Sequence, residues 1–196
     1  MTKPSPAREI RTKKQRTHER IVKSAARALR KQGFDALSVG QVMKDAGLTH
    51  GGFYAHFASR EALLVEALDS ASADGLASLQ SAGSGGSRPN ALEPLVAQYL
   101  SDAHVKHPEA GCALAALGSE TRRQSRAVRN VGTERIKQML ALIESRLDQS
   151  GAGGKEQAML VMSALVGALV IGRASSDSQL SRELRDAVAR SVLAKG

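Results

Sequence analysis

The segment SVGQVMKDAGLTHGGFYAHF, Ser38 to Phe57, carries two short helical patterns separated by one glycine turn. Ser38 with Gln41 three residues later forms a capping box, and Val39, Val42, Met43 and Ala46 line one face until Gly47 ends the helix. Thr49 then offers the N-cap of a third, very short helix reaching about Phe57. Two short helices joined through such a turn make a helix-turn-helix candidate, although helical hairpins with a glycine turn are common in all-α proteins. Gly51 and Gly52 sharpen it, because each costs a helix about 1 kcal/mol relative to Ala. Tolerance of that cost implies close approach of another body to the backbone. A DNA major groove, reached by the first residues of a recognition helix, is one such body, and Thr49 and His50 then meet bases or phosphates first. An irregular loop also accommodates two glycines, and spacing alone leaves both readings open.

Helical patterns flank this segment on both sides. Thr12-Lys13-Lys14-Gln15 is a capping box opening a first helix, with Ile21, Ala25, Ala28, Leu29 and Gln32 at helical spacing until Gly33 stops it. Ser59 caps a fourth helix, in which Glu61 occupies the first turn and Leu63, Leu64, Ala67 and Leu68 form the stripe. Ser81 to Pro89 reads as a flexible loop, and Asn90 with Glu93 caps a helix carrying Leu92, Leu95, Val96, Tyr99, Leu100 and Ala103. A short helix follows over Cys112 to Leu117, then a long one from about Ser119 to Gln149, broken by Gly151 to Gly154. Two last helices span about Lys155 to Gly172 and Asp177 to Ala194. The fold class is all-α, about nine helices, with a three-helix head bearing the helix-turn-helix and a larger helical body.

Charge is concentrated where the head begins. The 196 residues carry a net charge of +9, and residues 1–31 alone hold eleven Lys or Arg against Glu9 and Glu19. Residues 69–196 are nearly neutral, so a basic arm on a neutral body points to a polyanion, nucleic acid ahead of an anionic membrane surface. Lys13, Lys14 and Arg16 stand where they can reach phosphates. Four of the five aromatic residues, Phe34, Phe53, Tyr54 and Phe57, fall within the head. Phe53 and Phe57, four apart, face its core while Tyr54 presents its hydroxyl outward, and the scarcity of rings elsewhere argues against a stacking platform for single strands. Double-stranded DNA is therefore the expected partner.

Other classes are disfavoured. Cys112 is the only cysteine, which excludes an internal disulfide framework and suits a reducing, cytoplasmic setting. The basic N-terminus is not followed by an apolar region, so no secretory signal is expected. Ala158 to Ile171 is apolar but interrupted by Ser163 and Gly167, shorter than the roughly 20 residues a span requires, and reads as a buried or interface helix. No membrane association is expected. There is no phosphate-binding glycine loop, nucleophile elbow or paired zinc motif, so neither enzyme activity nor a cofactor is expected. His104, His107 and Glu109 surround Pro108 in a polar connection and read as solvated rather than metal-binding.

The string Gly47-Leu48-Thr49-His50-Gly51-Gly52-Phe53-Tyr54-Ala55-His56-Phe57, continued by Ser59-Arg60-Glu61-Ala62-Leu63-Leu64, resembles the DNA-binding head of the tetracycline-repressor (TetR) family of bacterial regulators. The likeness runs from about Thr17 to Leu68. It implies a homodimeric repressor whose body binds a small-molecule inducer and thereby releases a palindromic operator. By position, Thr49, His50, Gly51 and Gly52 face the groove, while Ser38, Gln41, Tyr54, His56 and Arg60 contact or orient toward phosphates. Arg60 stands where the family more often has Lys, and either is cationic.

The implied domains are a basic arm at 1–16, a DNA-binding domain at 17–68, and a ligand-binding and dimerisation domain at 69–196. Gly111-Cys112-Ala113-Leu114-Ala115-Ala116-Leu117-Gly118-Ser119-Glu120 resembles a segment of one branch, some of whose members sense electrophiles through the cysteine. Tyr99, Cys112, Met139, Met159 and Met162 are the candidate ligand-binding residues, though Met at helical spacing also serves as ordinary core and a free Cys is often simply buried. Apolar residues on the last two helices, Met159 to Ile171 and Leu180 to Val188, exceed one body's needs and suggest a four-helix dimer interface. The rival readings are a thiol-based sensor acting through Cys112 and a ligand-independent architectural DNA-binding protein.

Overall fold

The structure, a computed structural model, describes residues 12–82, 92–147 and 154–194. Among these residues there are nine α-helices, two short 3-10 helices and no strand. The helices are α1 (Lys13–Ala36), α2 (Val39–Asp45), α3 (Arg60–Ser81), α4 (Leu92–Tyr99), α5 (Asp102–Lys106), α6 (Ala113–Thr121), α7 (Arg126–Glu144), α8 (Gly154–Ala174) and α9 (Ser178–Leu193). The 3-10 segments are His50–Ala55 and Pro108–Ala110.

The local signals at the head act as expected, with three differences. Thr12 and Gln15 close a reciprocal capping box on α1. Gly33, at φ 84°, leaves the helical conformation, but helical bonding resumes beyond it to Ala36. Ser38 accepts the Gln41 N–H, whereas the Gln41 side chain turns to Asp45 (2.6 Å), so only half of the second box forms. After α2, Gly47 at φ 71° and Leu48 return their N–H groups to Lys44 and Met43, the paired bonds that close a helix through a left-handed residue. The segment after Thr49 is 3-10 rather than α-helical, as two glycines and six residues favour.

In the body, two predicted helices are each divided. Ser101 caps a new helix by accepting the His104 N–H, which separates α4 from α5. Ser125 does the same for Val128 N–H and separates α6 from α7. The asparagine of the Asn90–Glu93 box and Gly151 to Gly153 lie outside the described residues, as does the loop from 83 onward.

One core holds the head, built on Ile21, Leu29, Phe34, Met43, Phe53, Phe57 and Leu63, and it takes in Ala113, Leu117 and Val128 from the body. A second core holds the body, around Leu95, Tyr99, Ile143, Leu165 and Leu169. The 22-residue α3, about 33 Å at 1.5 Å per residue, runs from one core into the other. α8 is longer than its sequence suggested, and by length and composition its 21 residues suffice to cross a membrane. It packs here against α6, α7 and α9, burying Val161, Leu165, Ala168 and Leu169. Its other side exposes Met159, Leu160, Val170 and Ile171, and α9 adds Leu180 and Leu193.

Candidate nucleic-acid interface and effector cavity

The head gathers most of the sequence-predicted DNA-binding residues on exposed positions. Thr49, His50 and Gly51 are exposed at the start of the 3-10 segment, and Tyr54 is 75% exposed. Thr49 makes no side-chain cap bond, which leaves its hydroxyl available. A Cβ built on Gly51 meets nothing within 4 Å, and one on Gly52 meets only Met43 Cε at 3.6 Å. Packing within this chain therefore does not require either glycine. Lys13, Lys14 and Arg16 are exposed at the start of α1, as are Ser38 and Gln41 at the start of α2.

His56 and Arg60 are engaged differently. The Arg60 guanidinium donates to the carbonyls of Phe34 and Leu37, so it braces the α1–α2 turn. His56 is half-buried near His18, with Phe57 stacked on His18 at 4.5 Å. Burial, then the neighbouring His18 and Lys14, lower the His56 pKa, so at neutral pH it offers no charge to a phosphate. His18 also meets Glu66 at 2.6 Å, an ion pair when the ring is protonated, tying α1 to α3 across 48 residues. Sequence reading missed this contact, since no local spacing signals it.

The body contains a cavity of about 510 Å³ between α3, α5, the second 3-10 turn, α6 and α7, a ligand-sized space. Leu68, Leu76, Leu79, Leu114, Ile136 and Met139 supply apolar wall, with Ser72, Gln98, Thr121 and Thr133 interspersed. Of the five predicted ligand-binding residues, only Cys112 and Met139 line it. Met162 instead lines a separate shallow groove with Leu114 and Val166. Met159 is exposed elsewhere, while Tyr99 is fully buried core behind the cavity wall, meeting His104 edge-on at 4.8 Å and interacting with Cys112.

His104 is not solvated as its polar surroundings in the sequence suggested. Its Nδ1 lies 2.6 Å from the Tyr99 carbonyl, and its Nε2 accepts the Cys112 N–H at 2.8 Å. A carbonyl only accepts and an amide N–H only donates, so the ring is neutral with its proton on Nδ1. Burial lowers the His104 pKa in keeping with that state. Arg173 donates to the His104 carbonyl at 2.6 Å, and burial pushes the Tyr99 hydroxyl well above the ordinary tyrosine range. Only His107 and Glu109 of the polar trio remain paired on the surface, 3.2 Å apart. No cluster fit to hold a metal ion occurs among the described residues.

Polar bonds fasten the head to this cavity's walls. Arg30, buried on α1, donates to the carbonyls of Ala71 and Glu109, each at 2.6 Å. Glu120 of α6 accepts the Phe34 N–H at 2.9 Å, and its carboxylate lies where a Cβ on Gly33 would stand, 2.6 Å away. The body residues in these bonds are sequence neighbours of cavity residues: Ala71 of Ser72, Glu109 of Ala110, and Glu120 of Thr121.

A helix-turn-helix head joined to a helical body is the arrangement of a DNA-binding transcriptional regulator. The chain belongs to the tetR family of bacterial regulatory proteins: that family's profile matches residues 21–67, and that of the transcriptional regulator LmrA/YxaF-like C-terminal domain matches residues 90–187. An uncharacterized HTH-type transcriptional regulator of Bacillus subtilis, YerO, is 41% identical over 51 residues, covering 26% of this chain and 18% of that relative. A TetR-family regulator from Cytophaga hutchinsonii superposes with a TM-score of 0.81 at 19% identity, over 95% of this chain and 98% of that one. The reduced form of Escherichia coli NemR gives a TM-score of 0.74 at 19% identity, over 90% and 95%. These two likenesses concern the fold.

Proposed function

We propose that this regulator is a homodimeric repressor, released from a palindromic operator when a small molecule fills the body cavity. The observation that carries the reading is the adjacency just described, in which the bonds from Arg30 and Glu120 end one residue from the cavity wall. A ligand that displaces α6 or the 3-10 turn strains those bonds and rotates the head. Residues 1–16 serve as a basic arm, 17–68 as the DNA-binding domain and 69–196 as the ligand-binding and dimerisation domain, in a cytoplasmic protein. Thr49, His50, Gly51 and Gly52 enter the groove. Lys13, Lys14, Arg16, Ser38, Gln41 and Tyr54 hold phosphates, and Arg60 and His56 orient the segment. The exposed apolar residues of α8 and α9 pair with their symmetry mates, since such a patch on a monomer is unfavourable.

A second reading, covalent sensing, is favoured by Cys112 being among the residues that line the cavity. Genome-wide mapping of bound DNA with and without candidate small molecules tests the proposal. It predicts a few strongly bound sites, emptied by one class of molecule. Uniform occupation of many duplexes with similar affinity marks an architectural protein instead.

A further inference from the structure

The cavity's charge distribution specifies its ligand more closely. Three arginines line it, Arg122, Arg129 and Arg135, and no Asp or Glu does. Arg135 is neutralised by Asp69 at 2.6 Å. The Arg122 and Arg129 guanidiniums have no hydrogen bond or ion pair among the described residues. Nearby carboxylates are committed elsewhere, Glu120 to the Phe34 amide and Glu134 to Lys137. Arg122 is the C-cap of α6, where the helix's negative end favours a cation, but local folding does not call for the charge of Arg129, which lies near the start of α7, where the helix's positive end opposes cations.

We infer that the cavity takes an amphipathic anion, an apolar body seated against Leu76, Ile136 and Met139 with one acidic group held by Arg122 and Arg129. The inference rests on the reading of this cavity as the effector site. Both guanidiniums are exposed and hydrated, so a neutral ligand gains nothing from them, an acidic group gains charge-assisted hydrogen bonds, and a cationic ligand is repelled.

Two fluorescent probes sharing one ring system test it: 1-anilinonaphthalene-8-sulfonate, which is anionic, and N-phenyl-1-naphthylamine, which lacks the sulfonate. The chain has no Trp, so Thr133→Trp at the exposed edge of the wall gives a single indole whose quenching reports cavity occupancy. The full-length Thr133→Trp protein is expected to bind the sulfonate about tenfold tighter than the neutral probe, the scale of one charge-assisted hydrogen bond. Adding Arg122→Gln and Arg129→Gln, both at exposed positions, should abolish that preference while leaving the neutral probe's affinity unchanged.

Equal binding of the two probes, or a preference that survives the double substitution, overturns the inference while leaving the cavity as effector site. If neither probe quenches the indole, the effector-site reading fails and the inference falls with it. Loss of DNA affinity in the double variant, with probe binding unaltered, assigns these arginines to DNA and also overturns it.

Discussion

Arg30→Met is the sharpest perturbation of the head–body connection. Arg30 is 6% exposed, and its two bonds, each 2.6 Å, run to carbonyls on different body elements. Hydrogen bonds from charged groups contribute about 1.5–3 kcal/mol each, so removing both costs about 3–6 kcal/mol. Met fills similar volume and removes the buried charge instead of stranding it, which places the loss near the lower end, about 3 kcal/mol. For a chain of this size that lowers the melting temperature by about 6–12 °C. Arg30→Lys keeps the charge but reaches one carbonyl, and is expected to lose about half as much. Urea unfolding of the three proteins measures this directly. A Met variant within about 0.5 kcal/mol of wild type would refute the assignment of Arg30 as a structural link, since that is the scale of an inert surface change.

Three further outcomes follow from the same geometry. Replacing Lys13, Lys14 and Arg16 by Ala should weaken binding to all duplexes alike and reduce the salt slope by up to about three ion equivalents, measured by titration in rising salt. His56 and His104 both have pKa values lowered by burial, so the unfolded chain binds protons first. Stability should therefore be full above the ordinary histidine range and decline as pH falls from about 6.5 towards the lowered folded-state values, with His104, the more buried, contributing more, and His104→Asn should reduce that decline in thermal melts. Cys112→Ser should keep operator release by the noncovalent effector, and release by mild electrophiles that disappears in the Ser variant would instead favour covalent sensing.

Signals that act over a few residues were legible in the sequence. The glycine closing α2, the caps at Thr12 and Ser59, and the exposed positions Thr49, His50, Gly51 and Tyr54 all depend on neighbours within five positions. The cavity was not legible, because it is assembled from helices whose contacts span the chain. Arg30 meets Glu109 across 79 residues and Glu120 meets Phe34 across 86, and no spacing rule reaches that far. Met159 and Met162 were misplaced for a related reason. α8 is apolar nearly all round, so periodicity cannot say that it lies outside the cavity wall. The breaks at Ser101 and Ser125 were missed because each serine sits between strongly helical runs, where its capping bond decides the matter.

The central claim is that the 3-10 segment reads duplex sequence. Selection from a random duplex library with the full-length protein tests it most directly, alongside Thr49→Ala and His50→Ala variants. The account predicts enrichment of a two-fold symmetric sequence with half-sites separated by about one helical turn, or about 34 Å, and a changed base preference at the innermost contacts of both variants. Enrichment of no sequence, or an identical sequence from wild type and both variants, would contradict it.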